Sequence, residues 1–130
     1  MIRSVEHMAI AAKDTAALAG WYRDTLGFRV VVEGGHQGTW FVGPLEDEAL
    51  VEIVPATAAP RTERDRNDPG WSHLAFTVTE FDAVVASLQA KGVQFIGDII
   101  GTPGERRLAF FPDLEGNVLQ LVQRPQPLGS

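Results

Sequence analysis

Two histidines, one glutamate and one glutamine stand at matching points in two halves of this chain, and together they make a donor set for a divalent metal. His7 opens the apolar run MAIA and His73 opens LAFTV, while Glu52 sits inside ALVEIV and Gln120 inside NVLQLV. The intervals repeat: 52 − 7 = 45 in the first half and 120 − 73 = 47 in the second. Two neutral imidazoles, a carboxylate and an amide carbonyl suit Ni, Co, Zn, Mn or Fe and leave an octahedral ion two positions for water or adjacent substrate oxygens. Such an ion acidifies a C–H beside a bound carbonyl, with Glu52 the one acidic group of the set able to move the proton.

The elements around these residues follow the same order twice. Met8 and Ile10 alternate with His7, Ala9 and Ala11, the period of a strand. Asp14 can cap a helix whose Leu18, Tyr22 and Leu26 recur every four residues, with Gly27 as its left-handed exit. A strand follows at residues 28–32, and Gly34, Gly35 and Gly38 separate it from another at 39–42. In the second half Leu74, Phe76 and Val78 alternate with His73, Ala75 and Thr77, and a helix starts at Thr79 or Glu80. Its apolar face is Phe81, Val84, Val85 and Leu88, its stop is Gly92, and a strand is expected from 93–96, running on to 100. Gly101, Pro103 and Gly104 precede a further strand at 108–111.

Each half closes on the strand that carries Glu52 or Gln120. This is β-α-β-β-β written twice, an α+β chain forming one domain over 1–130: module one at about 1–54, a charged, proline-punctuated linker at 55–70, module two at about 71–124, and a polar tail at 125–130. Because strand neighbours alternate faces, His7, Ala9 and Ala11 share one surface, and His73, Ala75 and Thr77 share its counterpart. Sheets curving toward each other would place the four polar side chains in a concavity lined by small residues.

Composition narrows the partners. A net charge of −6 and 17 acidic against 11 basic residues argue against a nucleic-acid or anionic-membrane surface, so a small-molecule substrate or ligand is expected. With no cysteine there is no disulfide and no thiol nucleophile, and no apolar run approaches the roughly 20 residues that span a bilayer. The opening MIRSVEHM has no apolar signal core, which gives the expectation of a cytoplasmic protein. No serine–histidine–aspartate set, phosphate loop or dinucleotide fingerprint occurs.

The ordered set of residues resembles the vicinal-oxygen-chelate superfamily of glyoxalase I, methylmalonyl-CoA epimerase, fosfomycin-resistance enzymes, bleomycin-resistance proteins and extradiol dioxygenases. The likeness covers nearly the whole chain. It rests on His7, on Trp21, Tyr22, Leu26, Gly27 and Phe28, on Glu52, on His73, and on the run FPDLEGN from Phe111 to Asn117 before Gln120. The resemblance implies a paired β-α-β-β-β fold, its mixed sheet curved into a cup around a divalent metal, often in a homodimer. Gln120 departs from the pattern, since members resembling glyoxalase I usually carry a glutamate there. A glutamine carbonyl can ligate but cannot accept a proton at neutral pH, so the two-carboxylate arrangement of glyoxalase I is halved.

Three functions are compatible with these residues. The leading one is a metal-dependent isomerase, epimerase or lyase of the glyoxalase type acting on a small oxygenated metabolite. A metal-independent binder of an antibiotic or other planar ligand, of the bleomycin-resistance kind, is the second; the acidic charge suits a cationic ligand. The third is an Fe(II) extradiol-type dioxygenase, whose single carboxylate would be Glu52, in the half opposite to where the resemblance places it. A lone histidine on a strand is more often an ordinary hydrogen-bonded residue than a ligand, and Glu52, flanked by Leu50, Val51, Ile53 and Val54, needs a partner, which an arginine would equally supply. For substrate contacts, Arg106 and Arg107 after Gly104 can bind a carboxylate or phosphate, and Trp40 and Phe110 can line the cup. Residues 61–68 mix both signs and read as solvated linker.

Overall fold

Asp14 begins the first helix as expected: its Oδ1 accepts the Ala17 amide at 2.9 Å, satisfying one of the amides a helix start leaves free. The structure, a computed structural model, describes residues 1–46 and 49–130. Helix α1 spans Thr15–Leu26 and stops at Gly27, whose φ of 73° is the left-handed exit that glycine adopts without steric cost. Its buried face is Leu18, Ala19 and Tyr22. Leu26, expected on that face, is half-buried, because the stripe turns toward Ala19.

The described residues fall into two compact units, Met1–Thr62 and Glu63–Ser130. In the first, strands β1 (His7–Ala12), β2 (Arg29–Val32), β3 (Trp40–Gly43) and β4 (Leu50–Pro55) lie in the order β1-β4-β3-β2. β1 runs parallel to β4, and the other neighbours are antiparallel. Core positions are Tyr22, Leu18, Val42, Val51 and Ile53. Along β1 the alternation holds: His7, Ala9 and Ala11 are exposed, whereas Met8 and Ile10 are half-buried.

The second unit repeats the plan with β5 (Leu74–Thr77), α2 (Phe81–Ala90), β6 (Ile96–Ile100), β7 (Arg107–Pro112) and β8 (Val118–Gln123), in the order β5-β8-β7-β6. Phe81, Val85 and Leu88 form the buried face of α2, with Val84 half-buried beside them. The strand expected from residue 93 begins only at Ile96. The Val93 amide is committed to the Leu88 carbonyl at 3.0 Å as part of the helix stop, so it is not free to enter the ladder. Phe95 instead packs its ring 5.6 Å from Phe111.

β4 continues through Pro55, the Ala56 amide still donates to Ala12 O at 2.8 Å, and residues from Glu63 onward fold with the second unit. No helix among the described residues is long and apolar enough to cross a membrane.

Candidate functional site

Parallel pairing of β1 with β4 sets Ala9 directly across from Glu52, with His7 two residues earlier on the same face. His7 Nε2 lies 3.9 Å from Glu52 Oε1. His7 Nδ1 is hydrogen-bonded to Glu6 Oε1 at 2.9 Å, so Nε2 is the ring nitrogen that faces Glu52. Across β3, Phe41 pairs with Glu52, and its ring meets the His7 imidazole edge to face, 5.7 Å between centroids and 89° between planes. Glu52 is 22% exposed, and His7 is its ionic neighbour among the described residues; no arginine takes that place.

The second unit builds the same arrangement independently. Ala75 lies across from Gln120 in the parallel β5–β8 pair, and Phe110 lies across from Gln120 in the antiparallel β7–β8 pair. His73 meets Phe110 at 5.1 Å and 89°, and its Nδ1 is hydrogen-bonded to Ser72 Oγ at 2.8 Å. Gln120 is only 8% exposed, and among the described residues its side-chain amide has no hydrogen-bond partner. The amide end is not sealed from solvent, so its carbonyl can be reached by water or by a ligand.

Burial pushes the His73 imidazole below its ordinary value of 6.5, and the Arg66 guanidinium adds to the shift. The ring therefore stays neutral, the form that ligates. The sign for stability follows: as pH falls below about 6.5 the unfolded chain takes up this proton first, so the group lowers stability from there until the folded form is protonated too. Titration of metal-free protein followed by the His73 ring resonances will give a midpoint below 6.5; a midpoint at or above that value would contradict this account of its surroundings.

The spacing of His7 and Glu52 is compatible with two ligand atoms on one divalent ion. Bonds of about 2.0–2.2 Å to nitrogen and oxygen place two ligand atoms roughly 3 to 4.2 Å apart, depending on the angle at the ion, and the His7–Glu52 separation of 3.9 Å lies inside that range. Both imidazoles have one nitrogen engaged by the preceding residue and the other open. Among the described residues no three His, Cys, Asp or Glu side chains gather into a ready-made cage.

The remaining candidates are placed differently. Phe110 shares the face of Gln120, but Trp40 pairs with Ile53, one residue out of step with Glu52, and it is Phe41 that lies beside His7. Arg107 points toward α2: its Nη1 is 2.9 Å from Asp82 Oδ1 and its guanidinium sits 4.5 Å from the Phe81 ring. Arg106 is exposed at the end of the turn before β7. Residue typing passed over four participants: Phe41, Glu6, Ser72 and Arg66. Glu6 and Ser72 were legible in principle, since each is a hydrogen-bonding residue immediately before a candidate ligand.

A family model for the Glyoxalase/Bleomycin resistance protein/Dioxygenase superfamily matches residues 4–121. The chain belongs to this superfamily. Among its relatives is the uncharacterised YaeR protein of Escherichia coli (strain K12), 29% identical over 95% of this chain and 98% of its own. TnmS3, an antibiotic-binding protein from Streptomyces sp. CB03234, is 27% identical, covers 95% of this chain and 97% of its own, and superposes with a TM-score of 0.74. A glyoxalase/dioxygenase from Nostoc punctiforme reaches a TM-score of 0.79 over 95% of this chain and 92% of its own at 16% identity, a likeness of fold alone. The two four-stranded mixed sheets with their two helices are thus the superfamily's α+β fold.

Proposed function

We propose that His7, Glu52, His73 and Gln120 are the ligands of one divalent metal ion, and that the protein is an isomerase, epimerase or lyase of the glyoxalase type acting on a small oxygenated metabolite. The observation that supports this most is the repetition. An imidazole with Nδ1 held by the preceding residue, a ring set edge to face on a phenylalanine, and an oxygen donor paired with that same phenylalanine occur in each unit. Packing alone gives no reason for those three features to recur together.

When bound, a divalent ion in this donor set, left with one net positive charge, would lower the pKa of a C–H next to a coordinated carbonyl. The chain's own part is proton transfer and orientation. Glu52 Oε1, close to His7 but not hydrogen-bonded to it, is the acceptor for that proton, and Gln120, which cannot take a proton, adds no charge of its own to the set. Phe41 and Phe110 fix the imidazole planes. Protein stripped of metal and reloaded in turn with Ni, Co, Mn, Zn and Fe(II) is expected to retain one ion per donor set, measured by elemental analysis after desalting. No stoichiometric retention of any of the five would overturn the proposal.

The likeness to TnmS3 favours one other reading, a protein that sequesters a ligand without transforming it. It expects tight binding of a cationic probe such as bleomycin that is indifferent to chelator and unaltered by alanine at both His7 and His73. Loss of that binding on metal removal would exclude it.

A further inference from the structure

Arg66 occupies a position that the mixed charge of its segment conceals. Its guanidinium carbon lies 4.0 Å from the centroid of the Phe110 ring, the ring that also carries His73 edge to face. The turn that presents it is built rather than loose. Arg64 donates from Nη1 to Trp71 O and from Nη2 to Asp68 O, both at 2.6 Å. Asp68 Oδ2 accepts the Asp65 amide at 2.9 Å, and Asp65 Oδ1 accepts the Asn67 amide at 2.8 Å. The two adjacent carboxylates are therefore turned onto the backbone of the turn. Among the described residues Arg66 makes no hydrogen bond or ion pair of its own, in a chain where 17 acids outnumber 11 bases.

An ordered guanidinium with unfilled donors beside a candidate ligand is an anion receptor. The guanidinium is already held over the aromatic ring, so little further freedom is lost when an oxyanion docks at its edge, and the planar fork matches a carboxylate with two parallel N–H···O bonds. A single cation on the ring balances a monoanion. Arg64 and Arg66, two residues apart, thus divide the work: one closes the turn and the other is displayed by it.

We infer that Arg66 is the residue that recognises substrate charge, binding the carboxylate of an oxygenated carboxylic acid whose other oxygens reach the donor set of His73 and Gln120. This narrows the substrate class and rests on the metal-ligand reading above for the second half of the statement only; the carboxylate contact stands by itself.

The experiment uses lactate as probe, lactamide as its uncharged counterpart and inorganic phosphate as the competing oxyanion, with protein freed of metal on a chelating resin and the same protein reloaded. Binding is read from the Arg66 Nε–H resonance and from calorimetry. Lactate is expected to move that resonance in both forms and lactamide to leave it in place. Arg66→Ala should weaken lactate roughly tenfold or more, the loss typical of a charge-assisted hydrogen bond, while Arg66→Lys, which keeps the charge but not the fork, falls between. Lactate leaving the resonance unmoved, lactamide binding as well as lactate, or phosphate binding in its place would each overturn the assignment. If the metal does not load, the functional proposal fails, and the metal-free arm still decides Arg66.

Discussion

Replacing His73 by alanine will lower the affinity for a divalent metal by at least about 100-fold. Outer-shell substitutions, which only reorient a ligand, already cost 10- to 100-fold, and with the proposed ligand set this change deletes a donor outright. The loss is large because the ring is held ready: Ser72 Oγ engages Nδ1, Phe110 fixes the plane, and burial keeps the imidazole neutral where a solvated one begins to protonate. Ser72→Ala then serves as the graded control, expected to cost less than His73→Ala because the nitrogen donor remains. Competition against a chromophoric chelator measures both. An unchanged affinity in His73→Ala would remove His73 from the ligand set, and equal losses in the two variants would point to general disruption of the strand entry.

The contrast between what the sequence disclosed and what it hid has a physical basis. Period and punctuation disclosed the repeat: alternation placed His7, Ala9 and Ala11 on one face, Asp14 and Gly27 bounded α1, and Phe81, Val85 and Leu88 marked the buried side of α2. Those signals are local, so they survive without knowledge of pairing. Register is not local. Phe41 and Phe110 are counterparts, yet they precede Glu52 and Gln120 by 52 − 41 = 11 and 120 − 110 = 10 residues. The hairpins thus differ by one residue, which disguises Phe41 and makes Trp40 look equivalent.

Arg107 shows the opposite lesson. It lies three residues from Phe110 on one strand, an odd interval that alternation assigns to the other face, and there it pairs with Asp82. Its place was legible, and the pull of a glycine-rich hairpin tip beside two arginines outweighed it. Arg66 was not legible. Nothing in a mixed-charge run distinguishes the arginine that staples a turn from the one the turn displays, because that depends on which carbonyls the folded turn brings within reach of Arg64.

Asp113→Ala is expected to destabilise the fold by about 3–5 kcal/mol, enough to rival the whole stability of a small domain. The carboxylate is 5% exposed and forms the turn between β7 and β8. Its Oδ1 accepts the amides of Glu115 and Asn117, each at 2.9 Å, and its Oδ2 accepts Asn117 Nδ2 at 2.8 Å. The backbone closes the same loop, with the Asp113 amide donating to Asn117 O at 2.8 Å. Removing the side chain strands three inward-facing donors at about 1–3 kcal/mol each, less what water recovers. The FPDLEGN run is thus a structural staple with a functional consequence, since the strands it joins carry Phe110 and Gln120 in register. Asp113→Asn keeps the shape and loses the charge, and its loss should be smaller. Urea unfolding gives the difference, with the midpoint falling and the slope unchanged if the native state is intact. A midpoint within error of the wild type would show that the turn holds without its carboxylate. Under conditions where Asp113→Ala stays folded, its metal affinity should fall by less than that of His73→Ala, because the imidazole is still in place; the reverse order would mean that β7–β8 register, more than ligand identity, governs the site.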